Sequence, residues 1–127
     1  MINKKFLYAV VGASNNPEKY GYKVFKDLLD GWYKVLPINP SEKEILWVKV
    51  YPTLSETKKN IDVVIFVTQP ETTEKVLEEV KILGIKNVWL QPGAQSETTI
   101  EFCRRNNIEC IHDACIMIQR EIQKKTV

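Results

Sequence analysis

Apolar residues are concentrated in five short blocks along the chain, separated by segments in which apolar residues recur at helical spacing. The blocks are Phe6 to Val11, Trp32 to Ile38, Ile61 to Val67, Lys86 to Leu90 and Ile108 to Ile111. The first block is apolar throughout, without alternation, which is typical of a strand covered on both faces in a parallel sheet. The pattern therefore predicts five strands.

Four segments carry the helical spacing and have matching end signals. They run from about Tyr20 to Asp30, from Pro70 to a closing Gly84, from Glu97 to Asn106 after an N-cap at Ser96, and from Cys115 to Lys124. Between the second and third strands, Ile45 to Val50 is either a short edge strand or an irregular connection. Leu54 to Asn60 is expected to form a helical turn with Ser55 as a possible N-cap.

Alternation of strand and helix with short connections predicts one fold class. We expect a single α/β Rossmann-like domain over residues 1–127, with a five-stranded, mostly parallel sheet and helices on both faces. The predicted strand order is 3-2-1-4-5, counting the five blocks in chain order.

Composition narrows the class of protein without identifying it. The 127 residues are 44% hydrophobic and 27% charged with a net charge of +2, as in ordinary globular domains. That charge is too small to indicate nucleic-acid or membrane partners. The apolar blocks are too short to span a bilayer and the N-terminus lacks a signal-peptide pattern, so a cytoplasmic protein is expected.

Cysteine and histidine usage gives no metal signature. The three cysteines do not have metal-ligand spacing, and His112 is the only histidine. We expect reduced thiols, with Cys103 and Cys110 as buried packing residues. Cys115 opens the last predicted helix, where the dipole favours a thiolate, so it is either a thiol that reacts with a ligand or a packing residue.

The ends of the first four strands are rich in turn residues. These ends are Gly12, Ala13 and Ser14; Asn39 and Pro40; Thr68, Gln69 and Pro70; and Gln91, Pro92 and Gly93. Each is explained on its own as an ordinary turn. In a parallel sheet, however, the carboxyl ends meet at one edge, where ligands bind. The sequence therefore predicts a binding site at that edge.

The loop from Gly12 to Gly21 leads into the first helix, whose N-terminus attracts anions. A nicotinamide dinucleotide fingerprint requires glycine at the positions of Ser14 and Pro17, and an acidic residue after the second strand, where Asn39 stands. An oxidoreductase is therefore disfavoured. Ser14 also lacks the G-x-S-x-G surroundings of a nucleophile, so we predict no catalytic residue there.

Taken together, the motifs resemble the small single-domain CoA-binding proteins, which are related to the CoA-binding domain of the succinyl-CoA synthetase alpha subunit. The resemblance covers nearly the whole chain. It rests on Val10 to Ser14, Gly21, Pro37 to Pro40, Glu44 to Leu46, Val50 to Leu54, Val63 to Val67 with Pro70, Val88 to Gly93, and Asp113 to Ile116.

The resemblance implies a coenzyme A site. The pyrophosphate would lie on Gly12, Ala13 and Ser14, beside the helix that Gly21 opens, and Lys19 would add positive charge. The adenosine would lie near Asn39 and Pro40, and Lys43 would bind the 3′-phosphate. Either lysine is alternatively a solvated surface residue. Thr68, Gln69 and Pro70 would line the pantetheine arm, opposite Gln91, Pro92 and Gly93.

The resemblance also separates binding from catalysis. The phosphohistidine segment of those synthetases belongs to a second domain that we do not find in this chain. We therefore expect a non-catalytic protein that binds or senses CoA or an acyl-CoA, as a monomer or homodimer. Three alternatives stay open: half of an acyl-CoA synthetase with a separate ATP-binding subunit, an oxidoreductase, and an assembly subunit with a dimer patch at Trp32, Trp47 or Tyr51.

Overall fold

The computed structural model describes residues 2–125 as one α/β domain. Its strands are β1 (Leu7–Val11), β2 (Lys34–Ile38), β3 (Glu44–Ile45), β4 (Val48–Lys49), β5 (Val63–Phe66), β6 (Asn87–Leu90) and β7 (Glu109–Ile111). Its α-helices are α1 (Tyr20–Asp30), α2 (Pro70–Ile82), α3 (Glu97–Arg105) and α4 (Ile116–Lys125). No helix within this part of the chain is both long enough and apolar enough to cross a membrane.

The main sheet has five parallel strands in the order β2-β1-β5-β6-β7. Each of the five predicted blocks supplies one of these strands. The helices lie on both faces: α2 and α3 cover one, and α1 and α4 cover the other. The predicted fold class is therefore confirmed.

The predicted strand order, 3-2-1-4-5, is wrong. In the same count the order is 2-1-3-4-5, because the third block forms β5 beside β1, with Val63 opposite Tyr8. Pro37 explains why no full strand joins the outer edge of β2. Its carbonyl accepts from the Tyr51 N–H on that side at 3.1 Å, but its own ring removes the N–H that a further strand would need. Among residues 2–125, one isolated bridge, Ile38 to Tyr51, forms at this edge.

Alternate residues of the central strands supply two separate apolar cores. On the α2 and α3 face the core includes Ala9, Val11, Val64, Phe66, Leu77, Val80 and Cys103. On the α1 and α4 face it includes Tyr8, Val10, Val24, Phe25, Leu28, Ile65 and Ile116. Burying each large apolar side chain contributes on the order of 2 kcal/mol, so the two layers fix the helices against the sheet.

The connection between β2 and β5 contains the small antiparallel hairpin β3-β4. Leu46 and Trp47 form its turn with φ values of 49° and 68°, a left-handed geometry that matches strand twist in two-residue hairpins. A 3₁₀ turn follows at Ser55–Thr57. The predicted N-cap at Ser55 is wrong, because its hydroxyl instead donates to the Glu79 carboxylate of α2 at 2.6 Å.

Candidate functional site

A cleft of about 800 Å³ lies beyond the carboxyl ends of β1, β2, β5 and β6, beside the starts of α1 and α4. That volume is in the range of small-molecule sites. Its lining consists of Gly12, Ser14, Lys19, Tyr20, Gly21, Asn39, Val67, Thr68, Gln69, Gln91, Pro92, Gly93, Cys115, Met117 and Ile118.

Two glycines bring the start of α1 against the end of β1. Gly12 has a φ of 94°, and a Cβ there would lie 2.4 Å from the Val67 carbonyl oxygen. A Cβ on Gly21 would lie 2.0 Å from the Gly12 carbonyl oxygen. Both contacts are with backbone atoms that cannot rotate away, so the close approach of helix and strand end requires glycine at both positions.

The N-terminus of α1 faces this cleft, and its N-cap residue provides no side-chain cap. Lys19 occupies the N-cap position but makes no side-chain cap, and the first turn has no acidic residue. The first N–H groups of a helix lack intrahelical acceptors, and the dipole adds positive potential. Lys19 is also the one charged side chain among the lining residues that the structure describes. This end of the cleft therefore favours an anion.

The loop between Gly12 and α1 is fixed by a chain of polar contacts. The Ser14 hydroxyl accepts from the Asn16 N–H at 3.0 Å. From the β2 side, the Asn39 side-chain amide donates to the Ala13 carbonyl at 2.8 Å. From the hairpin side, the Glu44 carbonyl accepts from the Asn15 amide at 2.8 Å. The loop is thus tied to β2 and to the hairpin before any ligand is present.

Gln91 joins the opposite wall of the cleft to α4. Its side chain is 3% exposed. Its Oε1 accepts from the Ile116 N–H at 2.8 Å and its Nε2 donates to the Cys115 sulfur at 3.3 Å. Because it satisfies the first N–H of the helix, Gln91 fixes where α4 begins and places Cys115 at the cleft.

Asp113 connects the same region to the loop after β6. Its carboxylate accepts from the Gln95 amide at 2.6 Å and contacts His112 Nδ1 at 2.6 Å, and its N–H donates to Gln95. The hydrogen bond from Gln95 and then that from His112 hold the pKa of the Asp113 carboxyl below its usual value.

Most of the residues predicted for the site line the cleft. These are Gly12, Ser14, Lys19, Gly21, Asn39, Thr68, Gln69, Gln91, Pro92 and Gly93. Four others lie off its surface. Ala13 is fully buried in the core, Pro40 and Lys43 are exposed in the connection to the hairpin, and Pro70 begins α2.

Sequence reasoning missed Tyr20, Val67, Met117 and Ile118 as lining residues, and left Cys115 open. The signal for α4 was available. Three consecutive apolar residues, Ile116 to Ile118, cannot all face the core of a helix that turns every 3.6 residues. Ile116 is buried, whereas Ile118 is 59% exposed at the cleft.

The remaining thiols lie away from this site, beside a smaller cleft at α3 and β7. Cys103 is buried, as predicted, and Cys110 is partly exposed. A hydrogen bond with Cys103 and burial raise the pKa of Cys110. Within residues 2–125, no three potential ligands among His, Cys, Asp and Glu lie close enough together to hold a metal ion.

Comparison with known proteins gives a consistent family match. A family model described as a CoA binding domain matches residues 7–121. YneT of Bacillus subtilis is 30% identical over 116 residues, covering 91% of this chain and 86% of its own length. The alpha subunit of an ADP-forming acetate–CoA ligase of Pyrococcus furiosus is 37% identical over 71% of this chain, and the match spans 20% of that subunit.

Solved structures agree with the sequence comparisons. A conserved hypothetical protein from Pyrococcus furiosus superposes with a TM-score of 0.86 and 40% identity, covering 90% of this chain and 98% of that one. A hypothetical protein from Pyrococcus horikoshii gives the same TM-score with 30% identity, covering 91% of this chain and 81% of that one. Both proteins therefore share nearly the whole domain fold of this chain.

Proposed function

The chain belongs to the family of CoA binding domains, and from that premise we propose that it binds coenzyme A, free or acylated, in the cleft at the carboxyl edge of the sheet. In this proposal it acts as a binding or sensing protein without catalytic groups of its own. The observation that carries the proposal is the meeting of four strand ends at one cleft, next to an uncapped helix N-terminus.

The chemistry of the cleft suits the parts of CoA. The pyrophosphate would lie at the start of α1, where N–H groups, the helix dipole and Lys19 offset its charge. The adenosine would extend toward Asn39. The pantetheine arm would run past Val67 and Gln91 to the start of α4. Lys43 is exposed and off the cleft lining, so any contact with a 3′-phosphate would come from its flexible side chain.

Calorimetric titration tests the proposal. CoA should bind in the micromolar range or tighter, dephospho-CoA somewhat more weakly, and pantetheine, which lacks the nucleotide phosphates, more weakly than both. Lys19→Gln should weaken CoA binding. Lys81→Gln is the matched control, because Lys81 is exposed in the last turn of α2, away from the cleft. Absence of heat with every CoA species up to millimolar concentration would reject the proposal.

A second candidate function is that of a synthetase component that acts with other subunits. It is favoured by the similarity to ADP-forming acetate–CoA ligases: the match spans 20% of one alpha subunit and 17% of another ligase. The cleft lining, as far as the structure describes it, contains no histidine or carboxylate that could carry a phosphoryl group. The chain alone, given ATP, CoA and a carboxylic acid, should therefore form no acyl-CoA; product formation only after an ATP-binding ligase subunit is added would favour this candidate.

A further inference from the structure

The two ends of the cleft differ in chemical character. The end at α1 carries the polar groups, namely the Ser14 hydroxyl, Lys19 and Asn39, beside the exposed Tyr20 ring. The end at α4 is lined by Met117 and Ile118. Ile118 is 59% exposed, so the cleft ends in an apolar surface that the protein itself leaves uncovered. An uncovered apolar surface that continues a ligand cleft is a surface for the ligand's own apolar part.

The apolar end also lacks charge. Lys19, at the other end, is the only charged side chain lining the cleft among residues 2–125. Arg120, the cation that α4 buries, is engaged elsewhere, since its guanidinium donates to the Asp27 carboxylate and to the Asp27 carbonyl, both at 3.0 Å. A carboxylate placed at the α4 end would lie against apolar side chains and find no cation at that end of the lining.

The direction of the ligand follows from the position of its phosphates. If the pyrophosphate lies at the start of α1, the cleft leaves two ways out, toward β2 or across β5 and β6. The adenosine would take the β2 side, toward Asn39, so the pantetheine arm takes the other path. The path across β5 and β6 passes Val67 and Gln91 and ends at Cys115, Met117 and Ile118.

Resting on the proposed function, we infer that the site is built for an acyl-CoA whose acyl group is an uncharged aliphatic chain, packed on Met117 and Ile118. Short dicarboxylic acyl groups such as succinyl are disfavoured, because their terminal carboxylate would reach the uncharged end. Free CoA would bind through the same phosphate contacts but leave this apolar surface exposed to water.

Titration with CoA, acetyl-CoA, butyryl-CoA and succinyl-CoA tests the inference. Affinity should rise by up to about fourfold per buried methylene from acetyl to butyryl. Succinyl-CoA should bind no more tightly than CoA. Ile118→Asn should reduce the affinity ratio of butyryl-CoA to acetyl-CoA to about one, and this ratio is independent of any effect of the substitution on the shared CoA part. Ile122→Asn is the matched control, since Ile122 is 50% exposed one turn further along α4 and does not line the cleft.

The outcomes separate this inference from the function on which it rests. Binding of CoA with equal affinity for butyryl-CoA, or with succinyl-CoA as the tightest ligand, overturns the inference and leaves the proposed function intact. No binding of any CoA species overturns the proposed function. Light scattering adds an independent check: a dimer that dissociates on Ile118→Asn would mean that a second copy of the chain covers this surface, and would also overturn the inference.

Discussion

At the scale of single residues, the contact between Gly21 and the Gly12 carbonyl sets the position of the α1 N-terminus. At a helical position, alanine normally makes the helix more stable than glycine does, by about 1 kcal/mol. Here its Cβ would lie 2.0 Å from a backbone oxygen, and overpacking of this kind costs about 1–3 kcal/mol. We therefore expect Gly21→Ala to lower the free energy of unfolding by up to about 2 kcal/mol and to weaken CoA binding about tenfold or more.

Gly84→Ala is the control for this prediction. Gly84 follows α2 and does not line the cleft; a Cβ there meets nothing within 4 Å, although its φ of 72° strains an alanine. It should lower stability by a similar amount through backbone strain and leave CoA affinity nearly unchanged. Chemical denaturation and calorimetry on both variants measure the two effects. Equal losses of CoA affinity in both variants would contradict the steric explanation.

The pKa of Asp113 gives a prediction about pH. Because hydrogen bonds from Gln95 and His112 lower this pKa in the folded protein, the stability they contribute is present above the ordinary aspartate pKa of about 3.9. That contribution is lost as the pH falls through the lowered folded value. Gln95→Leu should therefore raise the pKa of Asp113, and its stability deficit should shrink below about pH 4.

Carboxyl carbon NMR titration measures the pKa of Asp113, and urea unfolding at several pH values measures the deficit. Gln119→Leu provides a control, since Gln119 lies in α4 away from this contact and should leave the Asp113 titration unchanged. A Gln95→Leu deficit that stays constant from pH 7 to pH 3 would show that Gln95 acts by packing and not through the Asp113 carboxylate.

Of the three thiols, Cys115 is the one whose position in the cleft allows a reaction with the ligand. It lines the cleft and is partly exposed, whereas Cys103 is buried. A Cys115 thiolate attacking CoA disulfide would form a mixed disulfide and release one CoA thiolate. Mass spectrometry should find one CoA adduct that dithiothreitol removes and that Cys115→Ser abolishes. An unmodified wild-type protein, or an adduct retained in Cys115→Ser, would assign Cys115 a packing role.

The sequence could predict which residues at the strand ends belong to the site, but not which of their atoms face the cleft. Gly12, Ala13 and Ser14 are consecutive, yet Ala13 is fully buried in the core and its carbonyl accepts from the Asn39 side-chain amide. Asn39 was expected near a ligand. Its amide is instead used in part to hold the loop, a role that depends on a contact 26 residues away and has no local pattern.

At the scale of elements, α4 is held to α1 by one largely buried ion pair. Arg120 is 8% exposed, contacts Asp27 through Nε, and its guanidinium lies 5.0 Å from the centre of the Tyr33 ring. Removing one member leaves the other poorly solvated. Since the Asp27 side chain is 29% exposed, we expect Arg120→Met to lower the free energy of unfolding by about 2–3 kcal/mol.

Arg104→Met is the control for this ion pair. Arg104 also contacts a carboxylate, that of Glu101, but both side chains are largely exposed, so the cost should be below about 1 kcal/mol. A double-mutant cycle with Asp27→Asn, measured by urea unfolding, isolates the Arg120 pair. Arg120→Met and Arg104→Met costing the same would mean that the pair does not hold α4 in place.

The positions of the main strands and helices along the chain could be predicted, but the order of the strands in the sheet could not. The five strands of the main sheet and the four α-helices follow from local apolar spacing. The order was predicted wrongly because the pattern does not say on which side of β1 the third strand lies. Pro37 was the available signal: a proline within a strand indicates an edge, and a third strand outside β2 would have made β2 internal.

At the scale of the whole molecule, the site depends on topology more than on any motif. Parallel strands bring their carboxyl ends to one edge, which is why the turn residues could be assigned to a common site from sequence. The contribution of α4 could not be assigned in this way. Its position depends on Arg120 reaching Asp27, a contact spanning 93 residues, and on Gln91 reaching Ile116.

Since the proposed ligand would contact four strand ends and the starts of two helices, it should bind only the folded chain. At a CoA concentration 100 times the dissociation constant, the free energy of unfolding should rise by about 2.7 kcal/mol, which corresponds to about 10 °C in the unfolding midpoint. Differential scanning calorimetry at several CoA concentrations measures this. The shift should grow with the logarithm of CoA concentration, shrink in Lys19→Gln at fixed CoA concentration and stay unchanged in Lys81→Gln. If titration detects binding but the midpoint does not move, CoA binds the unfolded chain as well, and the folded cleft cannot be its principal site.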